Sequence, residues 1–89
     1  MADLDKIKKR IAEIASSPKN VTLAEIEWVV DRLGEHGHRV TKRDATHGKL
    51  FSVGSQRFMV NHHNPGNTQA KPYSVKDFLN AMIELGLYE

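Results

Sequence analysis

Residues 47–62 read HGKLFSVGSQRFMVNH, and this stretch decides the fold. Apolar and polar residues alternate on both sides of Gly54-Ser55, as they do in two half-buried strands joined by a short turn. A Gly-X pair is what a two-residue type II′ hairpin turn requires. The stretch therefore predicts a β-hairpin in which Val53 lies opposite Gln56.

The register that follows from this turn predicts two different faces. Lys49 is expected opposite Val60 on the apolar face, and His47 opposite His62 at its open end, with Cβ atoms about 5 Å apart. Leu50 and Met59 are expected opposite each other on the other face, where they should be at least partly exposed. The apolar face, to be covered by helices, carries Phe51, Val53, Phe58 and Val60.

Helical spacing and capping signals flank the hairpin. A first helix is predicted over residues 3–16, and a second from the N-cap Thr22, with Glu25 completing a capping box, to a stop at Gly34. A strand is expected over residues 38–43, and residues 63–72 read as a polar loop. The last helix is expected to begin at Ser74, with Tyr73 and Phe78 as a hydrophobic staple, and to close at Gly86.

These elements predict an α+β fold. Without the first helix the order is α-β-β-β-α, as in double-stranded-RNA-binding domains, with a three-stranded antiparallel sheet and helices on one face. We expect residues 1–16 to be an N-terminal helical extension and residues 17–89 to be the main domain. One core should contain Leu33, Phe51, Phe58, Val60 and Phe78.

Composition limits the possible functions. A chain of 89 residues has a small core with little room for an enclosed pocket, so chemistry should occur on an open surface with an extended substrate. The net charge of +2 permits nucleic-acid binding, and the lack of cysteine excludes disulfides and thiolate metal sites. No apolar run approaches the roughly 20 residues that span a bilayer. We expect a cytoplasmic protein without membrane contact.

The histidine pair suggests a specific chemistry. One imidazole can take the proton from a ribose 2′-hydroxyl while the other protonates the departing 5′-oxygen, and a reference pKa of about 6.5 suits both roles. Nearby cations, Arg39, Lys42, Arg43 and Lys49, can hold the phosphate. The alternatives are ordinary surface histidines and strand charges that discourage aggregation. The spacing of the histidines does not indicate a metal site, and no cofactor is expected.

Three segments resemble one family. Residues 17–22, SPKNVT, and the following helix that ends Arg32-Leu33-Gly34 look like the opening of HicA-family toxins. Ala45-Thr46-His47 stands where that family has Gly-Ser-His at the start of its second strand. Residues 69–76, QAKPYSVK, resemble the family segment that leads into the last helix. The resemblance covers about residues 17–87.

The resemblance implies a double-stranded-RNA-binding-like fold and a metal-independent endoribonuclease that cleaves messenger RNA. It also implies a paired HicB-like antitoxin and places the catalytic histidine at His47. We expect Lys71 to join the cations above in binding RNA, and we expect no binding of DNA by the chain alone. The antitoxin is expected to meet Trp28 or the strip formed by Leu50 and Met59.

Two other functions stay open on the residues alone. An RNA-binding module without catalysis, such as a degenerate toxin, needs only the basic residues. A protein-interaction domain needs only Trp28 and the strip formed by Leu50 and Met59. Trp28 falls on the side of its helix away from the apolar stripe, so either the first helix covers it or a partner does.

Overall fold

The computed structural model describes residues 4–46, 48–64 and 67–88, and their side chains except those of 62–64, 67 and 68. The elements are helix α1 (Leu4–Ser16), a 3-10 turn (Pro18–Asn20), helix α2 (Leu23–Glu35), strands β1 (Val40–Ala45), β2 (Gly48–Val53), β3 (Gln56–Asn64) and β4 (Asn67–Ala70), and helix α3 (Pro72–Glu84). Within these residues the strands form an antiparallel sheet in the order β1-β2-β3-β4. The fold is α+β, and it contains the predicted α-β-β-β-α order.

The hairpin of β2 and β3 has the predicted register. Val53 pairs with Gln56, Leu50 with Met59 and Lys49 with Val60. Gly54 has φ 60°, and no non-glycine residue in the described ranges has positive φ, which fits a type II′ turn. The pairing is described as far as Gly48 with Asn61. The predicted start of β2 at His47 lies outside the described residues.

The predicted polar loop is partly wrong. His63 and Asn64 extend β3, and Asn67–Ala70 form β4, which pairs with the end of β3 through a register shift. On its other side, the Ala70 N–H donates to the Val21 carbonyl over 2.8 Å. Backbone bonds on both sides hold this polar segment as a short strand, although no apolar alternation marks it in the sequence.

The core lies between the sheet and the helices. Phe58 packs against Phe51 and Phe78, with ring centroids 5.6 and 5.5 Å apart. The five residues predicted to share one core are all buried in a single cluster. Helix α1 adds Ile7, Ile11 and Ile14 to that cluster, each at most 1% exposed, so α1 is an integral part of the fold.

Two of the predicted helix ends need correction, while one cap is confirmed. Thr22 caps α2 and accepts the Glu25 N–H at 3.2 Å. Helix α2 continues through Gly34, and the turn after it uses Gly37, whose φ is 105°. Helix α3 begins at Pro72 with Lys71 as N-cap, because proline is pre-organised for the first helical position. Ser74 is therefore not the cap, and Tyr73, which is 53% exposed, does not form the predicted staple.

In the described part of the chain, no helix is both long and apolar enough to cross a membrane.

Candidate functional site

The end of the hairpin away from its turn is where the sequence predicts two catalytic histidines. His47 lies outside the described residues. The backbone of His62 lies in β3 opposite Ala70 of β4, and its side chain is outside the described part. The imidazole pair therefore stays a prediction. The structure describes the residues that follow and precede the two histidines, Gly48 and Asn61, which pair with each other.

Gly48 is buried because β2 and β3 approach each other closely at this pair. A Cβ atom on Gly48 would lie 2.8 Å from the Val60 carbonyl carbon and 2.9 Å from the Asn61 Cα. Both obstacles are backbone atoms, which a side-chain rotation cannot move. The residue after His47 must therefore be glycine for the strands to pair as they do.

The first turn of α3 is attached to the same end of the hairpin. The Asn61 N–H donates to the Ser74 hydroxyl over 3.0 Å, and the Lys71 N–H donates to the Asn61 carbonyl over 2.9 Å. The Asn61 side-chain amide donates to the Tyr73 hydroxyl over 2.9 Å. Lys71, predicted to bind RNA, is the N-cap of α3, and its Nζ lies 6.0 Å from the Tyr73 ring centroid.

Two of the predicted phosphate-holding lysines are paired with carboxylates of α2. Lys42 Nζ lies 3.1 Å from Glu27 Oε2 and 2.9 Å from Asp31 Oδ1. Lys49 Nζ lies 2.8 Å from the same oxygen of Glu27. Both lysines project from the helix-covered face of the sheet, as the register requires. Their charges are therefore largely balanced within the protein.

The titration behaviour of this cluster follows from its contacts. The hydrogen bond from Lys49 is the main cause that holds the pKa of Glu27 below its ordinary value, with Lys42 adding to it and burial opposing it. The hydrogen bonds to Asp31 and then Glu27 raise the pKa of Lys42. Glu27 and Lys42 are therefore both charged at neutral pH.

The other face of the sheet carries the remaining predicted residues. Cross-strand pairing aligns Arg43, Leu50 and Met59 in one row and Thr41, Ser52 and Arg57 in the next. Arg39 precedes β1 and is exposed, and its carbonyl accepts the Gly54 N–H at 2.8 Å. Met59 is 40% exposed and Leu50 is partly buried, so their predicted exposure is confirmed. We name the two rows the outer face.

Trp28 is partly covered by α1. The Arg10 guanidinium of α1 lies 5.1 Å from the Trp28 ring centroid, and Arg32 of α2 lies 5.6 Å from it. The cation–π contact with Arg10 stabilises the α1–α2 interface, whereas the contact with Arg32 lies within α2. The packing supports the interpretation that the first helix covers this side chain.

Sequence reasoning missed Asn61, Ser74 and Arg57. The position of Arg57 could have been predicted, because the register that aligns Leu50 with Met59 also aligns Arg57 with Ser52 on the same face. The contact of Ser74 with Asn61 could not be predicted from the sequence, because a serine at this position is equally well explained as a helix N-cap. Among the described side chains, no group of three or more potential metal ligands converges.

No family model matches the sequence, and no curated protein or solved structure matches it either. The resemblance to HicA toxins therefore rests on the three segments of sequence and on the order of the elements.

Proposed function

We propose that the protein is a HicA-like endoribonuclease toxin that cleaves messenger RNA in the cytoplasm, with His47 as its essential residue. The proposal is supported by the three family-like segments and by an α+β fold with the order that the family resemblance implies. One of these segments, residues 69–76, contains the first turn of α3.

The observation that carries the proposal is the attachment of α3 to the hairpin end. The Asn61 carbonyl accepts the Lys71 N–H, and the Asn61 N–H donates to the Ser74 hydroxyl. Asn61 is also paired with Gly48, the neighbour of His47 in sequence. A helix N-terminus with a lysine beside it favours a phosphate group. Gly48, which follows the segment Ala45-Thr46-His47, thus lies at the same end of the sheet as the start of α3, which belongs to the segment 69–76.

The reaction follows from the chemistry of adjacent imidazoles. The ribose 2′-oxygen attacks the neighbouring phosphorus and loses its proton to one imidazole. The bond from phosphorus to the 5′-oxygen breaks, and the second imidazole gives that oxygen a proton. The products are a 2′,3′-cyclic phosphate and a 5′-hydroxyl. In this scheme His47 is essential, His62 assists, and Lys71 with the first turn of α3 stabilises charge on the phosphate.

A substitution series tests the proposal. His47→Ala should reduce cleavage of a messenger-RNA transcript by roughly 10² to 10⁴, as expected for loss of a positioned acid or base, while its circular dichroism stays unchanged. His62→Ala should reduce it less, and His36→Ala, at an exposed position after α2, should not change it. Wild-type cleavage should persist in EDTA and leave cyclic phosphate ends.

Three outcomes would contradict the proposal. Cleavage by His47→Ala at the wild-type rate would reduce His47 to a surface residue, and loss of cleavage in EDTA would assign the chemistry to a metal. If the wild-type chain binds the transcript without cutting it, the non-catalytic RNA-binding alternative replaces the nuclease.

The proposal includes a HicB-like antitoxin as partner. Helix α1 already covers part of Trp28, whereas Leu50 and Met59 form a partly exposed apolar strip. The strip is therefore the better candidate for antitoxin contact. Co-purification with a HicB-like protein encoded beside this chain, and its loss in Leu50→Asp, is the direct measurement.

A further inference from the structure

The two faces of the sheet differ in how their cations are paired. On the helix-covered face, Lys42 and Lys49 contact Glu27 and Asp31 at 2.8–3.1 Å. Arg39, Arg43 and Arg57 form no ion pair with any acid among the described residues, and all three are exposed. The arginines therefore keep charge that is available to an external anion.

Neither row of the outer face contains an acidic side chain; Asp77 and Glu84 of α3 lie beyond the rows, in a second concavity that Leu50, Arg57 and Met59 also line. The two rows consist of Arg43, Leu50, Met59, Thr41, Ser52 and Arg57. Five of these residues, with Lys42, line a shallow concavity of about 450 Å³; Met59 is the member outside it. Arginine matches phosphate through a planar fork of donors, and serine and threonine hydroxyls also contact phosphate oxygens.

We propose that the outer face holds the phosphodiester backbone of the RNA substrate, with Arg43 and Arg57 as its main contacts. This inference rests on the proposed function and names the surface along which the substrate binds. Arg43 and Arg57 stand on strands separated by one intervening strand, roughly 10 Å across the sheet, so they contact different phosphates.

The composition of the outer face favours RNA over a protein partner as the occupant. The centres of protein interfaces are rich in aromatic and other large apolar side chains, whereas the two rows offer only Leu50 and Met59 beside two arginines and two hydroxyls. The absence of aromatic side chains from these rows also leaves no platform on which bases would stack. Binding is therefore directed to the backbone and tolerant of sequence. An antitoxin on the Leu50–Met59 strip would compete with RNA.

Affinity for an uncleavable RNA analogue tests the proposal. The probe is a fluorescein-labelled 2′-O-methyl-uridine 12-mer, whose blocked 2′-oxygen cannot attack, so the intact wild-type chain is used. Anisotropy titrations across a range of salt concentrations give the dissociation constant and its salt slope. The double variant Arg43→Gln/Arg57→Gln should bind at least tenfold more weakly, and its slope should fall by about 1.4, or 0.7 for each lost phosphate contact.

A matched double variant removes the same net charge elsewhere. Lys8→Gln/Lys76→Gln alters exposed helix residues and should weaken binding less than threefold. The proposal is overturned if the arginine variant binds RNA as tightly as the Lys8/Lys76 variant does.

The same set of proteins separates this inference from the proposed function. Wild-type cleavage combined with an arginine variant of unchanged affinity removes the outer face as the binding surface and leaves the nuclease. Arginine-dependent binding without cleavage keeps the outer face and removes the nuclease. An arginine variant that binds RNA normally but loses the HicB-like partner assigns the outer face to protein and overturns the inference.

Discussion

Gly48 is the residue at which β2 and β3 come too close for any side chain. A Cβ there would meet backbone atoms of Val60 and Asn61 at less than 3 Å, so an added methyl group must push the two strands apart. The displaced strands would carry with them Asn61, which attaches α3 through Ser74 and Lys71. The absence of a side chain at one position thus supports both the strand pairing and the helix contact.

Gly48→Ala should therefore destabilise the protein by about 1–3 kcal/mol, the usual cost of overpacking. Thermal unfolding would detect this as a fall of roughly 4–8 °C for each kcal/mol in a domain of this size. Gly34→Ala is the control and should cost less, because the three nearest neighbours of its Cβ are side-chain atoms of the partly exposed Val40, the closest being Cγ2 at 2.8 Å, and a side chain can yield where backbone cannot. Alanine in the helix also offsets part of that cost, by up to about 1 kcal/mol. Equal stability of the two variants would refute the argument.

Residue types were easier to predict than residue partners. The sequence indicated that Lys42 and Lys49 lie on neighbouring strands, and the structure places both beside Glu27. It could not indicate that pairing, because the contact depends on how α2 packs across the sheet. The same limit applies to Asn61, whose partners come from a helix ten or more residues further along the chain.

At the scale of elements, the turn of the β2–β3 hairpin could be predicted from the sequence, whereas strand β4, which depends on backbone hydrogen bonds to distant residues, could not. The two-residue turn at Gly54-Ser55 leaves one hairpin register, so the pairing from Val53 to Lys49 follows from sequence. The strand β4 does not follow, because its stability comes from backbone bonds to β3 and to Val21. The start of α3 was misjudged because Ser74 looks like a cap, while Pro72 fits the first helical position better.

The contact between α2 and the sheet should depend on pH through Glu27. Its pKa in the folded protein lies below the ordinary value of 4.5, so its stabilising effect is complete above pH 4.5 and is lost as the pH falls through the folded-state pKa. Glu27→Gln should lower the free energy of unfolding by about 0.5–1 kcal/mol at pH 7, since the side chains are partly exposed and screened.

The measurement is urea unfolding of wild type and Glu27→Gln from pH 7 to pH 3. Their difference in unfolding free energy should stay constant down to about pH 4.5 and then shrink. Glu84→Gln, which replaces an exposed glutamate of α3, should match wild type throughout. A wild-type advantage that grows toward acid pH would contradict the ion-pair argument.

At the scale of the whole molecule, α1 completes the core. Ile7, Ile11 and Ile14 are buried in the same cluster as the sheet residues, and α1 contacts both α2 and α3. The expected division after residue 16 reflects where the family resemblance begins. In the structure, the three isoleucines cross that division and pack into the common core.

Ile11→Ala should cost about 2–5 kcal/mol, because it removes a fully buried side chain and leaves a cavity. Lys8→Ala, on the exposed side of the same helix, should change the free energy by less than about 0.5 kcal/mol. Chemical denaturation of the two variants makes the comparison. If both behave alike, α1 is a dispensable extension and the core lies wholly in the remaining chain.

The contact between α1 and α3 can form only after both helices have been synthesised. The ribosome makes α1 before α3, and at about 5–20 residues per second the chain from Ser16 to Pro72 takes roughly 3–11 seconds to synthesise. Until α3 emerges, the isoleucines of α1 lack one of the surfaces that bury them. In each round of translation they are therefore accessible to chaperones, or to any partner already present, for several seconds before the core can close.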